Sequence, residues 1–316
     1  MSRRGFRDPL TYKATPVQVS VPASSANLGP GFDSLGLALE LRDQYVAQIL
    51  DEEIFDIDVT GEGAAEVPRD AKNLVIKAMT KGFEFMGGKP RGIALRALNE
   101  IPHGRGLGSS AGAIVGGLSL ARGLVLSGTQ LMSDEDLIAL ATDLEGHPDN
   151  VAAALLGGAT IAWMEDRASV PTGCAVKLEV SVAIKALVLV PSTHLATAKA
   201  RRLLPESVSH KDATINSARA ALLVHSLTLR PDLLFQATED HIHQSFRREA
   251  MPKSFDLLTK LRAAGVAATI SGAGPSLLVL HTGNKSERDE IVRVAGAGFT
   301  PHDLEISATG AELTSA

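Results

Sequence analysis

A glycine-rich turn at residues 104–110 constrains the fold of this chain more than any other segment. It follows a predicted strand at residues 92–98 and precedes a run of small apolar residues, 111–126, typical of a tightly buried helix. Glycines let backbone N–H groups approach an anion closely, and the start of a helix adds its dipole. Ser109 and Ser110 add hydroxyls suited to phosphate or Mg²⁺. The turn therefore predicts a phosphate site, with a simple tight turn as the plainer alternative.

The glycine-rich turn differs from two common nucleotide-binding motifs. No Gly-Lys-Ser/Thr follows it, so it is not a Walker loop, and Ser109 stands where the dinucleotide fingerprint has its third glycine. Two further loops, residues 24–33 and 271–276, are similarly rich in serine and glycine. One such loop is weak evidence of a nucleotide site, whereas three loops together are stronger evidence.

Strand and helix patterns are mixed along the chain without strict alternation, which favours an α+β fold over a doubly wound parallel sheet. Residues 1–14 are predicted to form a loose arm, and residues 17–21 a strand that ends at Pro22. Asn73 is expected to cap a helix that runs to Met86. A charged stretch followed by proline and glycine at residues 166–173 predicts a domain boundary, giving domains 1–168 and 169–316.

Composition excludes several classes of protein. The 316 residues are 45% hydrophobic with a net charge of −5, which argues against a nucleic-acid binder. The single cysteine, Cys174, excludes an internal disulfide and a cysteine-rich metal site. No apolar run is long enough to span a membrane, and none follows Arg3, Arg4 and Arg7 as in a secretory signal. We therefore expect a cytoplasmic protein without membrane or nucleic-acid partners.

The three loops, in this order and spacing, resemble the GHMP kinase superfamily. The central motif of that superfamily, Pro-x-x-x-Gly-Leu-Gly-Ser-Ser-x-Ala/Gly, matches residues 102–112. Residues 25–33 look most like the homoserine kinase family, and residues 146–151 and 197–201 match it as well. The resemblance extends from about residue 17 to the end of the chain.

The resemblance implies a two-domain α+β architecture. The N-terminal half resembles the ribosomal protein S5 domain 2 fold, and the C-terminal half adds an α+β layer. The active site would lie in the cleft between the halves, with residues 271–276 supporting the phosphate loop. A homodimer is the assembly expected for such a protein.

The activity implied is transfer of the γ-phosphoryl group of ATP to the side-chain hydroxyl of L-homoserine, a step of threonine biosynthesis. Ser110 and Glu145 would hold Mg²⁺. A magnesium site commonly combines a few protein oxygens with the oxygens of substrate phosphates. For Glu145, a solvated position at a helix end is the plainer alternative. The residues implied in ATP binding are Pro102, His103, Gly104, Arg105, Gly106, Leu107, Gly108, Ser109, Ser110, Ala111 and Gly112.

Homoserine is a zwitterion, so its pocket needs partners for a carboxylate and for an ammonium group. By resemblance, Arg201 and Arg247 would hold the carboxylate, as guanidinium forks do well, and Asp33 the ammonium. Asn27 and His147 would add hydrogen bonds. Taken singly, each residue has an alternative: Asn27 and Asp33 also suit a turn, and Arg201 an exposed helix.

The implied catalytic residues are Asp149 and Asn150. We expect them to orient substrate or metal rather than to abstract the proton, because phosphoryl transfer depends mainly on alignment and charge. Two alternatives stay open from the sequence. One is a relative with another acceptor such as mevalonate, which the acid at Asp33 would repel. The other is a non-catalytic protein of the same fold that only binds ligand.

Overall fold

The computed structural model describes residues 10–167 and 169–315, so Arg3, Arg4 and Arg7 lie outside the described residues. The predicted loose arm is wrong for its described part. The ring of Tyr12 meets that of Phe83 edge-on with centroids 5.7 Å apart, and the Lys13 amide donates to the carbonyl of Leu124 at 2.8 Å. An aromatic contact and a backbone hydrogen bond thus hold Tyr12 and Lys13 against the body of the protein.

The described residues form two β-sheets. The larger has strand order β11-β1-β2-β4-β3, with β5 on β2 and β6 on β5, and the smaller has the order β10-β7-β9-β8. The strands are β1 (Val17–Asn27), β2 (Gly31–Leu50), β3 (Phe55–Gly61), β4 (Gly92–Asn99), β5 (Ala159–Arg167), β6 (Val170–Leu178), β7 (Lys185–Pro191), β8 (Ala268–Ile270), β9 (Leu277–His281), β10 (Phe299–Leu304) and β11 (Glu312–Ser315).

Helices cover both sheets. They are α1 (Leu74–Met86), α2 (Ser109–Leu124), α3 (Gly128–Leu131), α4 (Asp134–Glu145), α5 (Asp149–Leu156), α6 (Thr197–Arg201), α7 (His210–Thr228), α8 (Leu234–Ala237), α9 (Pro252–Ala263) and α10 (Lys285–Ala295), with 3₁₀ turns at Pro231–Leu233, Ser245–Ala250 and Gly296–Gly298. The α+β class is confirmed. Within residues 10–167 and 169–315, no helix is both long and apolar enough to cross a membrane.

Helices α1 and α2 follow the sequence closely. The side chain of Asn73 accepts hydrogen bonds from the amides of Val75 and Ile76, and Gly87 ends the helix with φ 97°, as predicted. In α2, a Cβ atom at Gly117 would overlap the carbonyl oxygen of Val75. Only a small residue lets α2 lie this close to α1, and α2 is the buried helix that its composition predicts.

The predicted strand end at Pro22 is wrong. Strand β1 continues to Asn27, and β2 starts at Gly31 after a tight turn in which Asn27 and Leu28 have left-handed backbone, φ 71° and 50°. Residues 23–26 are small and fully buried, because their strand lies between two core layers. That tertiary burial outweighs the weak strand propensity of alanine and serine.

The predicted domain boundary falls in the turn of a β-hairpin. Strands β5 and β6 pair antiparallel from Ala159↔Leu178 to Arg167↔Val170, so β6 belongs to the larger sheet. The C-terminal strand β11 also joins that sheet, beside β1. The strand pairing thus places β6 and the last strand, β11, in the larger sheet, and the division into domains 1–168 and 169–316 stays a prediction.

Two core clusters place the site between the sheets. One joins the helical layer of α1, α2 and α4 to the larger sheet, through residues such as Tyr45 and Ile114. A second joins the other face of that sheet, at Leu37 and Leu39, to Val188 and Leu278 of the smaller sheet. The loop before α2 emerges at the edge of this second cluster, where the two halves of the chain meet.

Candidate active site

A cleft of about 150 Å³ lies where the start of α2 faces the smaller sheet. Residues of both halves of the chain line it, as expected from the sequence. They are Ala26, Asn27, Asp33, Gly104, Gly106, Leu107, Gly108, Ser109, Ser110, Glu145, His147, Asp149, Asn150, Leu195, Ala196, Thr197, Arg201, Arg247, Gly272 and Ala273.

The N-terminus of α2 opens into this cleft without a cap. Its N-cap residue, Gly108, has left-handed backbone (φ 72°) and offers no side chain, and the first turn has no acidic residue. The first N–H groups of a helix have no intrahelical partner and carry the positive end of its dipole. An anion bound here would satisfy these donors, so the geometry suits a phosphate group.

Contacts from both halves fix the shape of the glycine-rich turn. The Ser271 hydroxyl lies 2.6 Å from the carbonyl oxygen of Gly106 and 2.8 Å from the Ser25 hydroxyl. A Cβ atom at Gly106 would overlap the carbonyl oxygen of Ser271. Glycine is needed at Gly106 for this close approach, and residues 271–276 touch the turn as the sequence predicted.

Arg105 turns away from the cleft. Its Nη1 donates to the carbonyl of Pro191 at 2.6 Å, and its Nη2 lies 2.9 Å from Nε2 of His194. The amide of Leu195 donates to the carbonyl of Gly104 at 3.0 Å. Arg105 therefore ties the turn to the C-terminal half instead of facing the cleft.

The other residues implied in ATP binding divide between the cleft and the core. Gly104 and residues 106–110 line the cleft, and His103 lines a neighbouring pocket. Ala111 is fully buried in the core. Pro102 and Gly112 line neither cavity.

The neighbouring pocket, of about 270 Å³, shares Ser109 and Ser110 with the cleft. Its surface is mainly apolar, with Val67, Pro68 and Leu74 on one side. Sequence analysis missed this pocket because much of its lining comes from residues 67–75, which carry no motif. It is a mainly apolar space directly beside the start of α2.

Ser110 and Glu145 meet at the edge of the cleft. The Ser110 hydroxyl donates to Oε2 of Glu145 at 2.7 Å. Burial raises the pKa of Glu145 above its usual value, against the opposing effect of the bond from Ser110. A hydroxyl and a carboxylate side by side form an all-oxygen donor set, which fits Mg²⁺.

A second group near the cleft, Asp33, His147 and Asp149, also brings its potential ligand atoms within 4.8 Å of one another. It fits Mg²⁺ less well, because one donor is an imidazole nitrogen and Mg²⁺ prefers oxygen. Its carboxylates are also engaged by other groups. The pair Ser110 and Glu145 is therefore the better candidate for a magnesium site.

His147, Asp149 and Asn150 form a buried hydrogen-bonded group at the start of α5. Nδ1 of His147 lies 2.6 Å from Oδ1 of Asp149, and the same oxygen accepts from the Asn150 amide at 2.8 Å. Burial opposes a charge on His147, but the bond and the charge of Asp149 outweigh it and raise the pKa of His147. The Asn150 side chain accepts from the Ser24 hydroxyl at 2.9 Å.

The predicted partners of the ammonium and the carboxylate bind each other. Arg201 Nη1 donates to Oδ2 of Asp33 at 2.9 Å, and Nη2 donates to Oδ1 at 2.6 Å. This contact raises the pKa of Arg201 above its usual value. The side chain of Asn27 accepts from the Asp33 amide at 3.0 Å and donates to the Gly272 carbonyl at 2.8 Å. Asn27 thus shapes the turn that presents Asp33.

Arg247 is 1% exposed. Its Nη1 donates to the carbonyl of Gly272 at 3.0 Å, while its Nε has no partner among the described residues. Burial, and then the neighbouring cation Arg201, lowers the pKa of Arg247 to about 10. A buried guanidinium with unused donors at a cleft is a ready partner for an anion.

Asp43 is a structural residue beside the site that sequence reasoning missed. Its fully buried carboxylate accepts from the amides of Glu100 and Ile101 at 2.7 and 2.9 Å, and from the Tyr45 hydroxyl at 2.9 Å. Burial raises the pKa of Asp43, and these bonds oppose the rise. Asp43 fixes the chain just before the glycine-rich turn. A single acid within a strand gives no signal of such a role.

Comparisons with known proteins point to one family. A family model described as the GHMP kinases N terminal domain matches residues 73–158, and one described as GHMP kinases C terminal matches residues 218–299. The chain is 47% identical over 302 residues to a homoserine kinase of Streptomyces avermitilis, covering 96% of this chain and 97% of that protein. It is 52% identical over 264 residues to a homoserine kinase of Clavibacter michiganensis, covering 84% and 82%.

A solved structure shares the whole architecture. The crystal structure of a homoserine kinase from Cytophaga hutchinsonii superimposes with a TM-score of 0.80 at 26% identity, covering 99% of this chain and 100% of that one. The likeness therefore includes both sheets and the cleft between them.

Proposed function

We propose, from the premise that this chain belongs to the GHMP kinase family and within it to the homoserine kinases, that it transfers the γ-phosphoryl group of ATP to the side-chain hydroxyl of L-homoserine. The product is O-phospho-L-homoserine, a step towards threonine. The observation that carries the proposal is one cleft that contains an uncapped helix N-terminus beside paired Asp33 and Arg201.

The paired side chains account for selection of a zwitterion. An entering amino acid can exchange partners with them, its ammonium taking Asp33 and its carboxylate taking Arg201 and Arg247. A ligand with only one of these charges would separate the pair and leave one member without a partner, which is costly in a partly buried site. The arrangement thus favours homoserine over a carboxylate such as mevalonate.

ATP is proposed to lie across the two cavities. Its phosphates would accept from the free N–H groups at the start of α2 and from the hydroxyls of Ser109 and Ser110. Its base would enter the neighbouring pocket, whose apolar side suits a flat heterocycle. The shared residues, Ser109 and Ser110, stand where the two parts of the nucleotide would meet.

Mg²⁺ is proposed to be held by Ser110 and Glu145. When bound, it neutralises negative charge on the phosphates. In its absence, the raised pKa of Glu145 reflects burial of a carboxylate with one hydrogen bond.

We propose that the hydrogen-bonded group of His147, Asp149 and Asn150 positions the reacting groups. The homoserine hydroxyl oxygen forms the new bond to phosphorus, the bond from the γ-phosphorus to the bridging oxygen breaks, ADP leaves, and the proton of the hydroxyl passes to the solvent. Asp149 helps to orient this hydroxyl through its contact with His147, and Asn150 does so through its contact with Ser24. The loose transition state makes such alignment the main requirement.

Two wider properties complete the proposal. We place the enzyme in the cytoplasm, where ATP and amino-acid intermediates are found. We expect a homodimer, measurable by light scattering as twice the 33.1 kDa of one chain.

A substrate panel tests the function. Homoserine, serine, threonine, mevalonate and galactose are each supplied with MgATP, and ADP release is followed in a coupled assay. We expect strong preference for homoserine. Preference for another acceptor would overturn the assignment, and no ADP release with any acceptor, despite binding of ATP, would favour a ligand-binding protein of this fold.

A further inference from the structure

The aromatic ring of Phe32 lies close to both arginines of the cleft. The guanidinium carbon of Arg201 is 5.6 Å from the centroid of the Phe32 ring, and that of Arg247 is 5.7 Å from it. Both distances fall within about 6 Å, the range of cation–π attraction. One half-buried ring therefore attracts both cations on which carboxylate binding would depend.

His243 also packs against this ring. Its imidazole stacks on Phe32 with centroids 5.2 Å apart and planes 29° apart. The side chain is fully buried, and Nε2 lies 2.7 Å from the carbonyl oxygen of Gly29. Since a carbonyl only accepts, Nε2 carries the proton. Burial lowers the pKa of His243, and the nearby Asp240 carboxylate, 3.5 Å from Nε2, opposes this effect.

A buried acid fixes His243 in turn. Asp240 accepts from the amides of Ile242 and His243, both at 3.1 Å, and from that of Gln244 at 2.7 Å. These bonds order the segment before the 3₁₀ turn that carries Arg247. The ring of Phe32 thus packs against a side chain, His243, whose backbone is held by hydrogen bonding to Asp240.

Two cations held side by side repel each other in a poorly hydrated site. Arg247 makes one hydrogen bond to a backbone carbonyl, and its Nε has no partner among residues 10–167 and 169–315. Asp33 occupies both Nη groups of Arg201. The aromatic ring therefore adds a contact that helps to hold the Arg247 guanidinium at the cleft.

We propose that Phe32 is a positioning residue that sets specificity for the carboxylate of the acceptor. Its ring holds the guanidinium groups of Arg201 and Arg247 in converging positions, and His243 keeps the ring in place. This inference rests on the proposed function, because it assigns the carboxylate of an amino-acid substrate to these arginines. It adds an uncharged residue, Phe32, and its stacking partner, His243, to the residues on which recognition of the carboxylate depends.

The test replaces the ring while keeping apolar bulk. For Phe32→Leu we expect the KM for homoserine to rise about 5- to 30-fold, from the loss of one or two cation–π contacts. The KM for ATP should stay within about twofold. Phe32→Tyr keeps the aromatic face and should restore most of the homoserine affinity.

The chain offers a matched control. Phe235 lies under the guanidinium of Arg262, with 4.7 Å from its carbon to the ring centroid, outside the cleft. Phe235→Leu removes the same kind of contact and should leave both KM values unchanged. If Phe32→Leu does not fold, Phe32→Met, with a more adaptable side chain, takes its place in the same assay.

The outcomes separate the two claims. A wild-type enzyme that phosphorylates homoserine, with a Phe32→Leu variant of unchanged homoserine KM, would overturn the role of Phe32 alone. Equal rises in the KM for ATP and for homoserine, or no rescue by Phe32→Tyr, would do the same. A wild-type enzyme inactive on homoserine would overturn the proposed function instead.

Discussion

The ion pair between Asp33 and Arg201 gives the sharpest prediction at the scale of single residues. Asp33→Asn keeps the size of the side chain and tolerates the left-handed backbone there, φ 54°. It removes the partner of the ammonium and frees Arg201. We expect kcat/KM for homoserine to fall about 10²-fold, because removing one member of a buried charge pair costs about 2–5 kcal/mol and this pair, about one-third exposed, lies near the lower end of that range.

The same variant should become more tolerant of 4-hydroxybutyrate, which is homoserine without its amine. The ratio of kcat/KM for 4-hydroxybutyrate to that for homoserine is the measurement, and we expect it to rise. Asp232→Asn is the control, because Asp232 pairs with Arg230 at an exposed site outside the cleft. An unchanged ratio in Asp33→Asn would contradict the exchange of partners.

His147 gives a prediction about pH. Its pKa is raised in the folded protein, so the stability from its pairing with Asp149 is fully present below the unfolded pKa of about 6.5 and is lost as pH rises through the folded value. Urea unfolding of wild type and His147→Gln between about pH 5.5 and 8.5 measures this. The difference in unfolding free energy should be largest at the acidic end. A difference that grows towards alkaline pH would contradict the pairing.

The sequence predicted the site residues unevenly. Asp33, Arg201 and Arg247 all line the cleft, as the resemblance implied. Arg105 lies at a variable position of the motif at residues 102–112, and its side chain faces Pro191. A motif specifies which backbone segment lies at a site, whereas the direction of a long side chain depends on distant partners. Phe32 was overlooked because an uncharged residue suggests no chemistry by itself.

At the scale of elements, the glycine-rich turn depends on close approach to the loop at residues 271–276. Gly106→Ala places a Cβ atom against the Ser271 carbonyl in a left-handed residue, φ 76°. We expect a loss of about 2–4 kcal/mol in unfolding free energy, part from the backbone and part from the overlap, together with a higher KM for ATP.

Gly265→Ala is the matched control for that substitution. Its backbone is similar, φ 81°, but no atom lies within 4 Å of the new Cβ. It should cost only the backbone part, about 1–2 kcal/mol, with an unchanged KM for ATP. Equal effects of the two substitutions on ATP affinity would show that contact with residues 271–276 is unimportant for nucleotide binding.

Elements with local signals were predicted well, and those held by tertiary contacts were not. Helix α1 has its cap, Asn73, and its terminating glycine, Gly87, within its own sequence. The second half of β1 is a run of small residues that becomes a strand only because β2 and the loop before α2 lie beside it. The β5–β6 hairpin resembled a linker because its exposed end is charged, although its pairing continues into the larger sheet.

At the scale of the whole molecule, the two halves are joined by more than the cleft. Strand β11 closes the larger sheet, and Nη2 of Arg42 donates to the Gly310 carbonyl at 2.6 Å. Arg105 and Ser271 tie the glycine-rich turn to the C-terminal half. A fragment of residues 1–168 would lose both β6 and β11 and should not fold as a unit.

We therefore expect the full chain to unfold in one cooperative transition. MgATP at about 100 times its Kd should add about 2.7 kcal/mol to that single transition, because it binds only the folded state. Unfolding followed by Trp163 fluorescence and by far-ultraviolet circular dichroism should give the same midpoint. Two transitions, with only one shifted by MgATP, would mean that the halves fold separately.

A crystal structure with a nonhydrolysable ATP analogue, Mg²⁺ and homoserine tests the central claim most directly. We predict phosphates at the amides of residues 104–110, with the amino-acid carboxylate on Arg201 and Arg247 and the ammonium on Asp33. An analogue bound elsewhere with this cleft unfilled, or homoserine bound while the bond from Arg201 to Asp33 stays intact, would contradict the account.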